Sequence, residues 1–96
     1  MSDLRTVALI PAKPGSEDVV REALTTLATA TQQHRGCVDY VLYESAANPG
    51  TFVTVETWES QDDLDAHMQT DDIAAALAAA DGHLGGDIAI HPLRAV

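Results

Sequence analysis

The 96-residue chain carries 15 acidic against 5 basic side chains, a formal charge of −10, and one cysteine. Those numbers allow one domain over residues 1–96 with a thin core; they exclude an intrachain disulfide, a clustered Cys/His zinc site and the basic surface a nucleic acid or anionic membrane requires. A partner subunit is then the remaining stabiliser, and with no apolar stretch near the ~20 residues that span a bilayer and no leader-like run in Met1-Ser2-Asp3-Leu4-Arg5, a cytoplasmic location is expected.

The first apolar segment, Thr6 to Ile10, is short and β-branched and reads as a strand, ended by Pro11 and Pro14-Gly15-Ser16. Ser16 or Gly15 caps the next helix, and Glu17 and Asp18 place negative charge at its positive end. Val20, Leu24, Leu27 and Thr31 recur at helical spacing, with Arg35 and Gly36 as the basic last turn and terminating glycine. Val38 to Ser45 reads as a second strand, Ala46 to Gly50 as a turn, and Thr51 to Glu59 as the returning strand of a hairpin. Ser60 with an acid at Asp63 resembles a capping box and opens a short helix bearing Leu64, His67 and Met68. A second cap signal, Thr70-Asp71-Asp72, divides the helical region in two, and Ile73, Leu77 and Ala80 continue the buried face to Gly82. Gly85-Gly86 precedes a last strand, Asp87 to His91, closed by Pro92.

The order β-α-β-β-α-β predicts an α+β, ferredoxin-like split βαβ domain: a four-stranded antiparallel sheet with helices on one face. Helices cover one face of such a sheet, yet the hairpin strands are apolar on both. Val53 and Val55 point one way and Phe52 and Trp58 the other; Val41 and Tyr43 oppose Tyr40 and Leu42. A sheet with one wet face alternates more cleanly, so the open face is expected to pair with a second copy of the chain.

Glu56 and Trp58, two residues apart, share a strand face with Thr54 and Phe52. A hairpin register pairing Leu42 with Thr54 sets Tyr40 beside Glu56, and His67 faces the sheet if Leu64 and Met68 are core residues. No glycine-rich phosphate loop follows the first strand and no metal constellation is present, so no cofactor is expected.

The run Val53-Thr-Val-Glu-Thr-Trp-Glu-Ser followed by Leu64-Asp-Ala-His67 resembles the signature of the antibiotic biosynthesis monooxygenase (ABM) superfamily. Lys13-Pro14-Gly15, Gly36-Cys37-Val38-Asp39-Tyr40 and the Asn48-Pro49-Gly50 turn fit the same family. The resemblance implies a dimeric α/β barrel paired through the sheet, with a pocket between sheet and helices. It also implies oxidation of a quinol or related hydroxylated aromatic by O2 without metal, flavin or haem. His67 would accept a proton and Glu56 would orient it or bind a substrate hydroxyl. Trp58 would form an aromatic wall with its N–H as donor, beside Tyr40, Thr54, Leu64 and Met68 as substrate contacts. The chain departs from haem-degrading members, which use a first-strand asparagine where Thr6-Val7-Ala8-Leu9-Ile10 stands here. With one Trp, two Tyr and one Phe it lacks the aromatic cage of polyketide oxygenases.

Other readings of the same residues stay open. Trp58 serves equally as core, Glu56 as a helix cap or ion-pair partner, and His67 as a structural histidine. His34, His83 and His91 read as surface or capping residues, and Cys37 as a small strand-start residue. The alternatives to a monooxygenase are an isomerase that shuttles a proton with Glu56 and His67, and a non-catalytic dimeric module for a small ligand.

Overall fold

The computed structural model describes residues 3–96, so the Met1-Ser2 start of the leader reading lies outside it. Its elements are β1 (Leu4–Pro11), α1 (Glu17–Thr31), β2 (Cys37–Glu44), β3 (Thr51–Trp58), α2 (Gln61–Met68), α3 (Asp71–Ala80) and β4 (Ala89–Pro92). The strands form one antiparallel sheet in the order β2-β3-β1-β4, the ferredoxin-like α+β arrangement expected from the element order. No described helix is long and apolar enough to cross a membrane.

β3 positions everything else. Its alternation buries Phe52, Thr54, Glu56 and Trp58 toward the helices and turns Val53 and Val55 to the opposite face. β1 adds Thr6, Ala8 and Ile10 to the inner face. Leu42 pairs with Thr54 and Tyr40 with Glu56; a bulge falls between Cys37 and Asp39 and leaves both pairings intact. Val20, Leu24 and Leu27 of α1 and Ile73 and Ala76 of α3 pack on Ala8, Ile10 and Phe52. Each fully buried large apolar side chain there contributes about 1.5–3 kcal/mol. A second cluster joins Tyr40, Trp58 and Leu64 at the other end of the sheet, with Met68 packed against both clusters.

Both expected caps in the second helical region form. The Ser60 hydroxyl accepts from the Asp63 amide at 3.2 Å and donates to the Asp63 carboxylate at 2.9 Å, and the Thr70 hydroxyl accepts from the Ile73 amide at 3.3 Å. Elsewhere local competition moved the boundaries. Ser16 holds the N-cap position of α1, but its hydroxyl pairs with Nδ1 of His83 at 3.0 Å, and Glu17 reaches back to the Gly15 amide instead. α1 stops at Thr31 rather than running to Arg35: the Gln33 and His34 amides tighten onto the Ala30 and Thr31 carbonyls in the three-residue pattern of a closing turn. Leu77, expected on the buried face of α3, is 48% exposed, because Ile73, Ala76 and Ala80 carry that face. β4 begins at Ala89 and includes Pro92, which an edge strand tolerates.

Gly36 enters β2 at φ +77, and a Cβ there would meet the Asp63 side chain, its Cβ at 2.5 Å. Asp63 is held in place by Ser60 and by Arg35, whose Nε lies 3.5 Å away. Gly15 has a similar φ of +89 with open space around it. Gly15→Ala is therefore expected to lose about 1–2 kcal/mol from backbone strain alone. Gly36→Ala should lose at least about twice that, through the added clash. Urea unfolding of both variants checks the difference, and equal losses would remove the Asp63 contact as its cause.

Candidate active site

The inner face of β3 carries an acid in a place where acids are rare. Glu56 is 5% exposed, and its two carboxylate oxygens are met by donors from its own strand. The Thr54 hydroxyl donates to Oε2 at 2.6 Å and the Trp58 indole N–H to Oε1 at 2.9 Å. Residues two apart on a strand point the same way, so the spacing Thr-x-Glu-x-Trp is what builds this arrangement. Burial raises the carboxyl's pKa above its usual value, and the Thr54 and Trp58 hydrogen bonds partly offset the rise. Tyr40, paired across from Glu56, is buried as well; burial first and the nearby Glu56 second push its phenol well above the ordinary range. Tyr40 therefore stays a neutral hydroxyl.

His67 comes from α2, which Ser60 starts at the end of β3, and it is 3% exposed. Its ring lies against Trp58, with centroids 4.6 Å apart, and beside Tyr40 at 5.7 Å. Nδ1 of His67 is 2.8 Å from Nδ1 of His34, and Nε2 of His34 is 2.7 Å from the Asp72 carboxylate. Among the described residues nothing hydrogen-bonds Nε2 of His67. Burial first, then the neighbouring His34, pull its pKa down from 6.5 to about 4, while Asp72 acts in the opposite direction. The ring is neutral at physiological pH.

These side chains border a cavity of about 70 Å³ between sheet and helices. Tyr40, Thr54, Glu56 and His67 supply its polar positions; Leu64 and Met68 are among the apolar residues around them. Leu77 and Ile90 line the cavity while remaining 48% and 40% exposed, and so mark its mouth. Six of the seven residues singled out in the sequence thus meet at one cavity. Trp58 does not line it: fully buried, it stands behind His67 with its N–H already given to Glu56. Glu56 makes no hydrogen bond to His67.

His34 and Asp72 were not legible as site residues. They lie 33 residues before and 5 residues after His67, on the turn following α1 and in the first turn of α3. Only α1·α3 packing joins them, and no local pattern announces it. His83 is bonded to Ser16 and His91 is exposed on β4. Burial raises the Cys37 thiol, which gives it no nucleophilic character. No cluster of three or more His, Cys, Asp or Glu suited to a metal ion occurs among the described residues.

A family model described as antibiotic biosynthesis monooxygenase matches residues 4–79. No curated protein matches significantly in sequence. Among solved structures, one of an antibiotic biosynthesis monooxygenase is 28% identical, with a TM-score of 0.89, covering 97% of this chain and 98% of that one. Rv0793 from Mycobacterium tuberculosis is 27% identical with a TM-score of 0.89, covering 99% and 96%. A conserved protein from Methanosarcina mazei Go1 is 26% identical with a TM-score of 0.89, covering 98% and 93%. With the match spanning most of the domain, including the Thr54–Glu56–Trp58 stripe and His67, the chain belongs to the antibiotic biosynthesis monooxygenase family.

Proposed function

We propose that the chain is a cytoplasmic, cofactor-independent monooxygenase that oxidises a single-ring quinol or related hydroxylated aromatic with O2. The observation that carries this reading is geometric: the His67 ring borders a largely apolar cavity with its Nε2 unclaimed by the protein. Burial leaves that ring unprotonated but also makes it a weak base, so proton transfer to it needs the developing imidazolium to be compensated. A phenol that gives its proton to such a nitrogen becomes electron-rich enough to reduce O2 itself. One oxygen atom enters the ring as a carbonyl, and the other leaves as water with the two hydrogens the substrate loses. The protein's part is to bind, to deprotonate and to exclude water. Tyr40 remains a hydroxyl donor for a second substrate oxygen, and Glu56 holds Thr54 and Trp58 in place around it.

Size selects within the substrate class. A cavity of about 70 Å³ is about half the ~150 Å³ of an engineered cavity that admits benzene. One ring requires Leu77 and Ile90 to move outward at the mouth, and a polycyclic phenol requires a larger displacement there. Oxygen uptake measured across one-ring and polycyclic quinols tests this. Turnover is expected for the first group only, and His67→Ala should lower kcat by about 10²–10⁴-fold. Unchanged kcat in that variant removes His67 as the base. Solvent-deuterium exchange into a trial ketone without oxygen uptake would indicate an isomerase, and binding with neither activity a ligand-binding module.

We also infer that two copies pair through the open sheet face. The register aligns Val7, Val55 and Val41 in one row and Leu9, Val53 and Tyr43 in the next, an apolar surface no described helix covers. Val55→Arg is expected to convert a dimer to a monomer in analytical ultracentrifugation, with helix content unchanged. A wild-type monomer at micromolar concentration would refute the pairing.

Burial of neutral His67 also sets a pH dependence. The unfolded chain binds a proton at this ring from about pH 6.5 downward, whereas the fold resists until about 4. The resulting stability is complete above pH 6.5 and is lost as pH falls toward 4, on the order of 2–3 kcal/mol. Glu56 acts with the opposite sign, since its raised pKa favours the fold in acid. The difference between wild type and His67→Gln isolates the histidine term. Urea unfolding at pH 7 and pH 4.5 should show a shallower loss in the variant; parallel losses would mean His67 is not held neutral.

A further inference from the structure

His67 is not alone. Asp72 Oδ2, the His34 ring and the His67 ring form an unbroken chain, with 2.7 Å between Asp72 and Nε2 of His34 and 2.8 Å between the two Nδ1 atoms. The three residues come from the first turn of α3, the turn after α1, and α2. The proton positions follow from what each group can do. A carboxylate only accepts, so Nε2 of His34 carries a hydrogen. In neutral His34 this leaves a lone pair on Nδ1, and Nδ1 of His67 must donate to it. A neutral imidazole has one hydrogen, so Nε2 of His67 holds the lone pair. That is the nitrogen without a protein partner on a ring that borders the cavity.

We propose that His34 and Asp72 are positioning residues that fix His67 in its Nδ1–H form and take over its positive charge when it accepts a proton from substrate. This rests on the reading of His67 as the base. In the step itself, the substrate O–H bond breaks as a hydrogen–Nε2 bond forms on His67. The Nδ1–H bond of His67 breaks as one forms to Nδ1 of His34. His67 ends neutral with its tautomer reversed, His34 is an imidazolium beside Asp72, and the substrate is a phenolate; no electrons change hands. The cation thus leaves a ring 3% exposed, set against Trp58 and Tyr40, where a charge is poorly solvated. It arrives on a ring paired with a carboxylate that is itself 48% exposed to solvent. An aspartate that sets the tautomer of a histidine and stabilises its imidazolium serves the same purpose in Ser-His-Asp triads. The path also runs backwards, returning the proton when reduced oxygen leaves as water.

Two-bond proton–nitrogen correlation NMR on uniformly 15N-labelled protein at pH 7.5 reads the tautomer of each histidine without any substrate. Wild-type His67 is expected in the Nδ1–H form. His34→Leu and Asp72→Ala should each shift its population toward the Nε2–H form; Asp72 is exposed enough for the second variant to fold if the first does not. His67 found as Nε2–H in wild type, or unmoved in Asp72→Ala, overturns the relay whether or not any quinol is oxidised. On a quinol that wild type turns over, both variants should lower kcat at least tenfold while KM moves less than threefold. Unchanged kcat would likewise overturn the charge transfer. Absence of wild-type turnover on every quinol counts against the proposed function alone, because the NMR result stands apart from it.

Discussion

A buried carboxylate in the middle of a small sheet survives only if its lone pairs are met, and Glu56 is met from its own strand. Thr54 and Trp58 flank it at the two-residue period of β3, so the strand that needs the acid also satisfies it. The same period commits the rest of β3: Phe52 joins the core with α1 and α3, while Val53 and Val55 are turned away from it. A one-residue slip would bury two valines in place of the polar stripe and leave Trp58 in solvent. The neighbouring strands inherit the constraint through their register, which brings Tyr40 to Glu56 and Ala8 to Thr54.

That rigid stripe explains how so small a domain holds a polar site inside a thin core. Trp58 does its work from behind. With its N–H committed to Glu56, the indole becomes a fixed surface on which the His67 ring rests. α2 is aimed by the Ser60–Asp63 cap at the exit of β3, and the same Asp63 leaves room at Gly36 only for a residue without a side chain. The two packing clusters of the domain thereby connect at the cavity. Apolar residues fill one end, and the other presents a hydroxyl, an acid and a neutral imidazole.

Charge is the other organising quantity. The interior admits no cation cheaply, and the basic residues of the site are confined to two imidazoles. Placing Asp72 at the outer end of the His34–His67 pair gives the positive charge of a proton transfer somewhere to reside near water. The alternative, a permanent cation in the cavity, would meet neither a solvent shell nor a free carboxylate, since Glu56 is spent on Thr54 and Trp58.

Much of this was written locally. The two-residue alternation of Thr51 to Trp58, the caps at Ser60 and Thr70, and the helical stripe of Val20, Leu24 and Leu27 act through neighbours in the chain, so the order of elements, the sheet and the grouping of Tyr40, Thr54, Glu56, Leu64, His67 and Met68 could be read from them. Where a side chain found a distant partner, local reading failed. Ser16 left its cap for His83, a partner 67 residues away. Leu77 was rotated out to the mouth of the cavity by the fit of Ile73 and Ala76 against α1 and the sheet. The sequence by itself determined the fold and the polar side of the cavity with Leu64 and Met68 beside it, because these follow from period and register. Only the tertiary structure decided that Trp58 stands outside the cavity and that His34 and Asp72 extend the site toward solvent, because those contacts depend on how separate helices pack and leave no trace at any fixed spacing along the chain.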